Sequence, residues 1–388
     1  MGGVARDRLL FVDNIRWVMI VLVLSMHAVD TYSPFGSWYY TDRSHTDPRT
    51  GLIFGAYQST LQAFFMALLF AIAGFFAVPS YDRKGFAQFA RDRGIRLGAP
   101  TLLYVLLVGP ITEYFVSHTW QGGGGFLHQW LVHLLDGEML SETGPMWFAA
   151  VLLLFSICYA MWRGSRHRTV APRGDRSSST VASSSLNTPT VITFAVGLWI
   201  TTFLVRGVVP QDFVVLNVHP GDFPQYALMF WAGTVIYRRG WLERWPTRSA
   251  LWWSAWLLLP AVPLFAGLLI YGGALHGDTS HYGGGYNFVS FGKSAWESMV
   301  CVGASLLLVS VFRTFFDRQG IVARVLSDNA FAVYVFHPPV LILLAIILSG
   351  FDAPAVIRAV LLTVSAALVT FSLSAGFIRR IPGLQRIL

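Results

Sequence analysis

Long apolar runs alternate along this chain with short polar breaks, and the runs have the length of a membrane crossing. About 20 residues of helix span the hydrocarbon core of a bilayer. Runs of about that length fall at 10–33, 53–79, 98–118, 145–162, 190–206, 222–238, 251–271, 290–312, 329–349 and 354–378. They predict an all-α polytopic membrane protein, a bundle of about ten transmembrane helices forming a single domain over residues 1–388. No cleaved leader is expected, because the first run is long, further runs follow it and no small-residue cleavage site ends it.

The breaks differ in charge. Arg6 and Arg8 precede the first run; Arg83, Lys84, Arg91, Arg93 and Arg96 follow the second. Arg163, Arg166, Arg168, Arg173 and Arg176 follow the fourth, and Arg238, Arg239, Arg244 and Arg248 the sixth. Arg313, Arg318 and Arg324 follow the eighth, and Arg379, Arg380 and Arg386 end the chain. The alternate breaks hold only Arg43, Arg49, Arg206 and Arg358. Cytoplasmic loops are rich in Lys and Arg, so both termini are expected in the cytoplasm. The Arg-, Ser- and Thr-rich stretch 163–189 reads as a flexible cytoplasmic linker. The segment 86–96, aromatic and basic at helical spacing, is expected to lie on the inner interface and run into the third span. Outer loops are aromatic, as in Trp38-Tyr39-Tyr40, and glycine-rich.

Composition sharpens this picture. The chain is 54% hydrophobic and only 12% charged, with mean hydropathy +0.55. Soluble domains carry about 25% charged residues, so little room remains for a separate soluble domain. The net charge of +8 sits in alternate loops, which argues against nucleic acid as a partner. Cys158 and Cys301 both lie in apolar stretches and read as packing residues. Lysine occurs only at 84 and 293, which hints at a GC-rich bacterial genome as the source; the expected location is a bacterial plasma membrane. No phosphate-binding loop, nucleophile elbow or zinc-protease motif is present, which argues against ATP-driven transport and intramembrane zinc hydrolysis. No internal repeat marks an inverted-repeat transporter.

Within the first run, ten residues separate Arg16 from His27. On a helix the two differ by only about 20° around the axis and lie about 16 Å apart along it. Asp13 and Asp30 fall near the same stripe, giving a polar seam. Ionisable groups at membrane depth are costly and face a bundle interior or a wet cavity. Imidazole transfers protons near neutral pH, so His27 with Asp30 is the candidate catalytic pair. The bland alternative is a hydrogen bond between helices. Arg16 either snorkels with Asp13 as partner or is a fixed cation for a phosphate-bearing ligand. Arg93 and Arg96 share one helix face and either supply inner-side charge or clamp a phosphate.

His337 lies in Tyr334-Val335-Phe336-His337-Pro338-Pro339. The prolines are expected to break the helical ladder and leave irregular backbone against a cavity; a kinked span with a packed histidine is the alternative. Glu113, Lys293 and Glu297 lie toward outer ends of spans. Lys293 and Glu297 either pair with each other or join Glu113 around an outward cavity for a polar acceptor. Trp147-Phe148, after Gly144-Pro145, is expected to anchor at the interface. His45, His118, His128, His133, His219, His276 and His281 are too scattered to hold a metal, and none is expected.

Asp13-Asn14-Ile15-Arg16 with His27, Arg93-x-x-Arg96, Trp147-Phe148 and Tyr334-x-x-His337 together resemble the integral-membrane acyltransferase 3 family over nearly the whole chain. The length is similar to that of stand-alone members, including the periplasmic-glucan succinyltransferase branch, without the extracellular hydrolase-like domain some relatives carry. The resemblance implies a membrane-bound O-acyltransferase, for example an O-acetylating one, acting between two sides of the membrane. The donor is cytoplasmic acyl-CoA, a co-substrate, with no bound cofactor. The acceptor is a hydroxyl of an envelope glycan, lipid or small molecule reached from outside. On this reading Arg16, Arg93 and Arg96 hold the donor, and His27 deprotonates the acceptor or carries the acyl group. Asp30 orients the imidazole, His337 positions or relays a proton, and Glu113 and Glu297 meet the acceptor. Membrane lipids are the remaining expected partners. The same seam also suits a proton-coupled transporter of a polar metabolite, and a lipid-sensing scaffold without turnover is a third class.

Overall fold

A computed structural model describes residues 8–36, 38–116, 125–135, 143–167, 187–215 and 217–387. Most of the 163–189 linker, together with His118, lies outside the described residues. Among the described residues every named element is helical. The first, α1 (Leu10–Tyr32), matches the first apolar run. The second, α2 (Pro48–Arg93), starts five residues before its run because Asp47 caps it. The Asp47 carboxylate accepts from the Arg49 amide at 2.8 Å and the Thr50 amide at 3.1 Å, and Pro48 is preset for the first helical position.

The helical path then continues through a π turn (Gly94–Gly98), α3 (Ala99–Leu103), a second π turn (Tyr104–Val108) and α4 (Gly109–Val116). The apolar stretch Pro48–Tyr114 therefore contains 67 residues, about 100 Å of helix against a bilayer core of about 30 Å. Gly85 divides it. Its φ of 70° with ψ of 178° is backbone that glycine adopts without steric cost, and Lys84 pairs with Asp92 across the break. The runs 53–79 and 98–118 are thus two limbs on either side of one glycine. As expected, the segment 86–96 runs directly into the second limb.

The rest follows in order: α5 (Phe126–Leu135), a tight turn at Gly144–Met146, α6 (Trp147–His167), α7 (Thr188–Val208) and α8 (Phe223–Arg238). Then come α9 (Thr247–Tyr271), α10 (Phe288–Phe315), α11 (Ile321–Ser349), α12 (Ala355–Gly376) and α13 (Leu384–Ile387). Asn187 and Asn287 cap α7 and α10. Among the described residues eight stretches are long and apolar enough to cross a membrane, Pro48–Tyr114 counting once and the 16-residue α8 not at all. Large apolar side chains left exposed on α9 and α12, such as Leu259, Val262 and Leu368, give the bundle a lipid-facing exterior.

The seam-bearing helix is central: α1 touches α2, α10, α11 and α12. Its Ile15, Met19, Leu24 and Ala28 are fully buried. Behind it α2 crosses α8 at very close range. A side chain at Gly74 would meet the Phe230 carbonyl, and one at Gly233 the Ala71 carbonyl, both within 2.0 Å. Small residues of this kind let helix backbones touch in a membrane, where dispersion between close surfaces drives association.

One expectation about backbone is corrected. Pro338 and Pro339 do not break their span, and α11 stays helical through both. Pro338 has no N–H, so the Tyr334 carbonyl four residues back loses its ladder donor. The His337 ring supplies one instead, Nδ1 lying 2.8 Å from that oxygen.

Candidate functional site

His27 sits toward the C-terminal end of α1, with its side chain 19% exposed. Its Nδ1 lies 3.1 Å from Asp30 Oδ2. A carboxylate can only accept, so this bond places the ring proton on Nδ1 and leaves Nε2 as the basic atom. The other oxygen of Asp30 accepts from Gln58 Nε2 on α2 at 2.5 Å. The Gln58 carbonyl accepts in turn from Ser33 Oγ at 2.7 Å. Asp30, Gln58 and Ser33 are all buried. The carboxylate is thus held from both sides and aimed at the imidazole.

The loop after α1 closes over this pair. The Asp42 amide donates to the Thr31 carbonyl at 2.7 Å. Gly36 lies so close that a side chain there would come within 2.7 Å of the Asp30 backbone. The fold-back brings the Trp38 indole onto the His27 ring, with centroids 3.8 Å apart and planes 17° from parallel. His337 is 5.3 Å from His27 and 6.2 Å from Trp38, again nearly parallel. These three distances make a near-right angle at His27. His337 therefore lies beside His27, edge to edge, with the indole covering the face of His27. The Tyr334 carbonyl fixes the proton of His337 on Nδ1, and its Nε2 is a fully buried acceptor without a protein partner.

Around this centre the aromatic step is internal. Gly144, Pro145 and Met146 are buried, and the Tyr334 hydroxyl donates to the Pro145 carbonyl. Trp147 packs on Tyr226 at 5.3 Å, and Phe148 on Phe70 at 4.6 Å and on Tyr334 at 6.2 Å. The interfacial anchoring expected of Trp147-Phe148 is therefore corrected: the buried turn before α6 tucks both rings into the bundle.

About 16 Å along α1, at its other end, the three expected donor-binding arginines come together. Arg16 bonds Asp13 at 3.3 Å and lies 4.8 Å over the Phe76 ring. Arg93 lies 5.1 Å over the Phe89 ring and is close enough to Arg16 and Arg96 to feel both charges. Asp13 is shared with Arg8, which also reaches Asp328 at 2.9 Å. Arg96 stands exposed within the first π turn.

The two glutamates are not brought to one place. Glu113 is on α4, which packs against α11. Glu297 is bound up in a buried ionic cluster: it pairs with Arg206, lies 3.8 Å from Lys293, and Arg206 bonds Asp222 at 2.5 Å. Lys293 and Glu297 are within ion-pair distance of each other, but the shorter contact of Glu297 is with Arg206 and that of Lys293 is with Gln211 at 2.5 Å. Arg206 and Arg358, read in sequence as outer-loop charges, are fully buried within α7 and α12. Arg358 bonds Asp42 at 2.5 Å and His45 at 3.0 Å. Among the described residues no cluster of metal-ligating side chains forms.

Sequence does not mark Gln58 or Ser33, and it marks Trp38 only as an outer-loop aromatic. Gln58 belongs to the polar patch Gln58-Ser59-Thr60 with Gln62, and nothing in the chain alone says which of them meets Asp30.

Residues 9–378 match the family model described as an acyltransferase domain, the acyltransferase 3 family that the motifs above resemble. Among curated proteins and among solved structures no significant match exists.

Proposed function

The chain belongs to the acyltransferase 3 family and acts as a multi-pass membrane acyltransferase; from that premise we infer an O-acyl transfer from cytoplasmic acyl-CoA to a hydroxyl on the outer side. The observation that carries this reading is the His27–Asp30 pair, a carboxylate-oriented imidazole at membrane depth with its basic Nε2 directed away from Asp30. A transporter reading of the same seam finds no support in the family.

The reaction balances on these residues. The acceptor oxygen attacks the thioester carbonyl carbon while His27 Nε2 takes the hydroxyl proton. Asp30 stabilises the imidazolium, as a buried carboxylate does in hydrolase triads. The C–S bond breaks, the imidazolium returns its proton to the leaving thiolate, and an ester and CoA thiol result. In the variant route His27 Nε2 attacks the thioester carbon and the C–S bond breaks to release CoA thiolate; the acceptor oxygen then attacks the acyl carbon, the C–N bond breaks, and the hydroxyl proton passes to the thiolate. His337 Nε2, beside His27, accepts a hydrogen bond from the acceptor and orients it. Arg16, Arg93 and Arg96 hold the donor's phosphates, for which planar guanidinium is the suited partner. We count ten crossings: seven of the eight long apolar stretches once each, the two limbs of Pro48–Tyr114, and α8. The charge alternation supports termini on the cytoplasmic side, and on this reading the membrane is a bacterial plasma membrane.

The test uses purified protein in liposomes of bacterial envelope lipid, with acetyl-CoA as the probe donor and thiol release as the readout. His27→Gln replaces a hydrogen bond but cannot carry a proton, so release falls by about 10²–10⁴-fold with acetyl-CoA affinity intact. Arg93→Ala weakens that affinity by about 1–3 kcal/mol. Near-normal release by a folded His27→Gln protein moves the chemistry elsewhere.

A further inference from the structure

A second site lies away from α1. Helices α2, α7, α8 and α10 enclose a groove of about 520 Å³, the size of a small-molecule pocket. Leu68 and Ala71 of α2, Phe194 of α7, Val235 of α8 and Leu306 of α10 make apolar walls. None of the proposed catalytic or donor-binding residues lines it. One end is different in kind. There Arg239 faces the groove together with Trp241 and Trp245. The Arg239 guanidinium is held 5.2 Å over the Trp241 ring, and Trp245 is fixed by its bond to Ser310 Oγ at 2.9 Å.

These features specify an occupant. Apolar walls of this size take a hydrocarbon chain. Indoles gather where chain meets headgroup in a bilayer. A guanidinium at that level recognises phosphate. Arg238 at the end of α8, Arg244 in the connection and Arg248 in the first turn of α9 add positive charge against the single acid Glu243, so a net negative headgroup is favoured over a zwitterionic one. We propose that the groove holds one acyl chain of an anionic phospholipid, with its phosphate on Arg239. Neither the family nor the catalytic reading requires this site, and its failure leaves both untouched.

The experiment is native mass spectrometry of the full chain in detergent, offered phosphatidylglycerol and phosphatidylcholine with identical chains at equal concentration. The wild-type protein retains phosphatidylglycerol by about tenfold over phosphatidylcholine, the scale of one charge-assisted contact. Arg239→Gln brings the ratio near parity. Arg239→Lys, which keeps charge but not the planar fork, lowers it part of the way and serves if the neutral variant does not fold. Ala232→Trp, which fills the groove, reduces retention of both lipids. Equal retention of the two lipids by wild type overturns the proposal. So does a preference that survives loss of Arg239, or lipid binding untouched by the tryptophan.

Discussion

At the scale of single residues, the informative side chain is Gln58. It is neither acid nor base, yet it fixes which oxygen of Asp30 faces His27. Gln58→Met keeps volume and removes the donor, leaving a buried carboxylate oxygen without its hydrogen bond. On the proposed mechanism the expected result is a 10- to 100-fold fall in turnover, about 1.4–2.7 kcal/mol, with acetyl-CoA affinity unchanged and the acid limb of the pH–rate profile displaced. Gln58→Glu, protonated beside Asp30, restores part of the rate. A purely structural glutamine gives a different pattern: loss of folded protein, and a profile that does not move among the molecules that do fold. The sequence made His27 and Asp30 legible because an ionisable pair stands out in an apolar run. Gln58 was not legible because its meeting with Asp30 depends on how α2 is rotated against α1, which no local pattern records.

At the scale of elements, the loop between α1 and α2 owes its closed position to buried charge. Arg358 on α12 pairs with Asp42, lies 4.8 Å over the Tyr32 ring, and bonds His45, whose other ring nitrogen reaches Asp352 at 3.2 Å. Burial alone would raise the Asp42 carboxyl, but bonds from Ser44 and Arg358 outweigh it and hold the group below its ordinary 3.8. The sign follows from linkage: a carboxyl with a lowered folded value stabilises the fold in full above 3.8, and this is lost as pH falls through the folded value. Asp42→Ala leaves a buried guanidinium without its anion, a loss of about 3–5 kcal/mol when a buried pair is broken. The variant should therefore unfold at lower temperature than wild type in detergent at pH 7, with the difference closing only below pH 3.8. A constant difference down to pH 3 would assign the effect to something other than this carboxylate. Sequence placed Arg358 in a loop because a lone arginine beside a short polar break looks like surface charge. Its counter-ion lies 316 residues away along the chain.

At the scale of the whole molecule, orientation is set by where the arginines fall between helices. In a background with Cys158 replaced by alanine, Ser280→Cys should react with an impermeant thiol reagent in intact cells, and Glu243→Cys only after lysis. The reverse pattern overturns the topology. The helical architecture was readable almost entirely from the apolar runs, since burial in lipid demands length and little else. The exceptions are informative. Gly85 divides one helical path into two limbs, and α5 forms in a stretch read as outer loop. The paired prolines looked like a break because their lost donors are visible in sequence, whereas the histidine that replaces one of them is a matter of side-chain reach.

The central place of α1 has a consequence for how the protein is made. This helix, carrying Asp13, Arg16, His27 and Asp30, is synthesised before the helices it packs against, and of those α10, α11 and α12 follow only after α9. At about 5–20 residues per second, the roughly 300 residues between His27 and His337 take about 15–60 s to appear. For that interval the ionisable groups toward the two ends of α1 weigh against insertion, each by less than the about 2.5–3.5 kcal/mol of a charge at the helix centre. Only α2, bringing Gln58 to Asp30, offers early relief. The first hairpin must therefore be sheltered by the insertion machinery, or wait at the interface, until the C-terminal helices roof it. A chain truncated before α11 then becomes a substrate for membrane quality control, with its imidazole in place and no site around it.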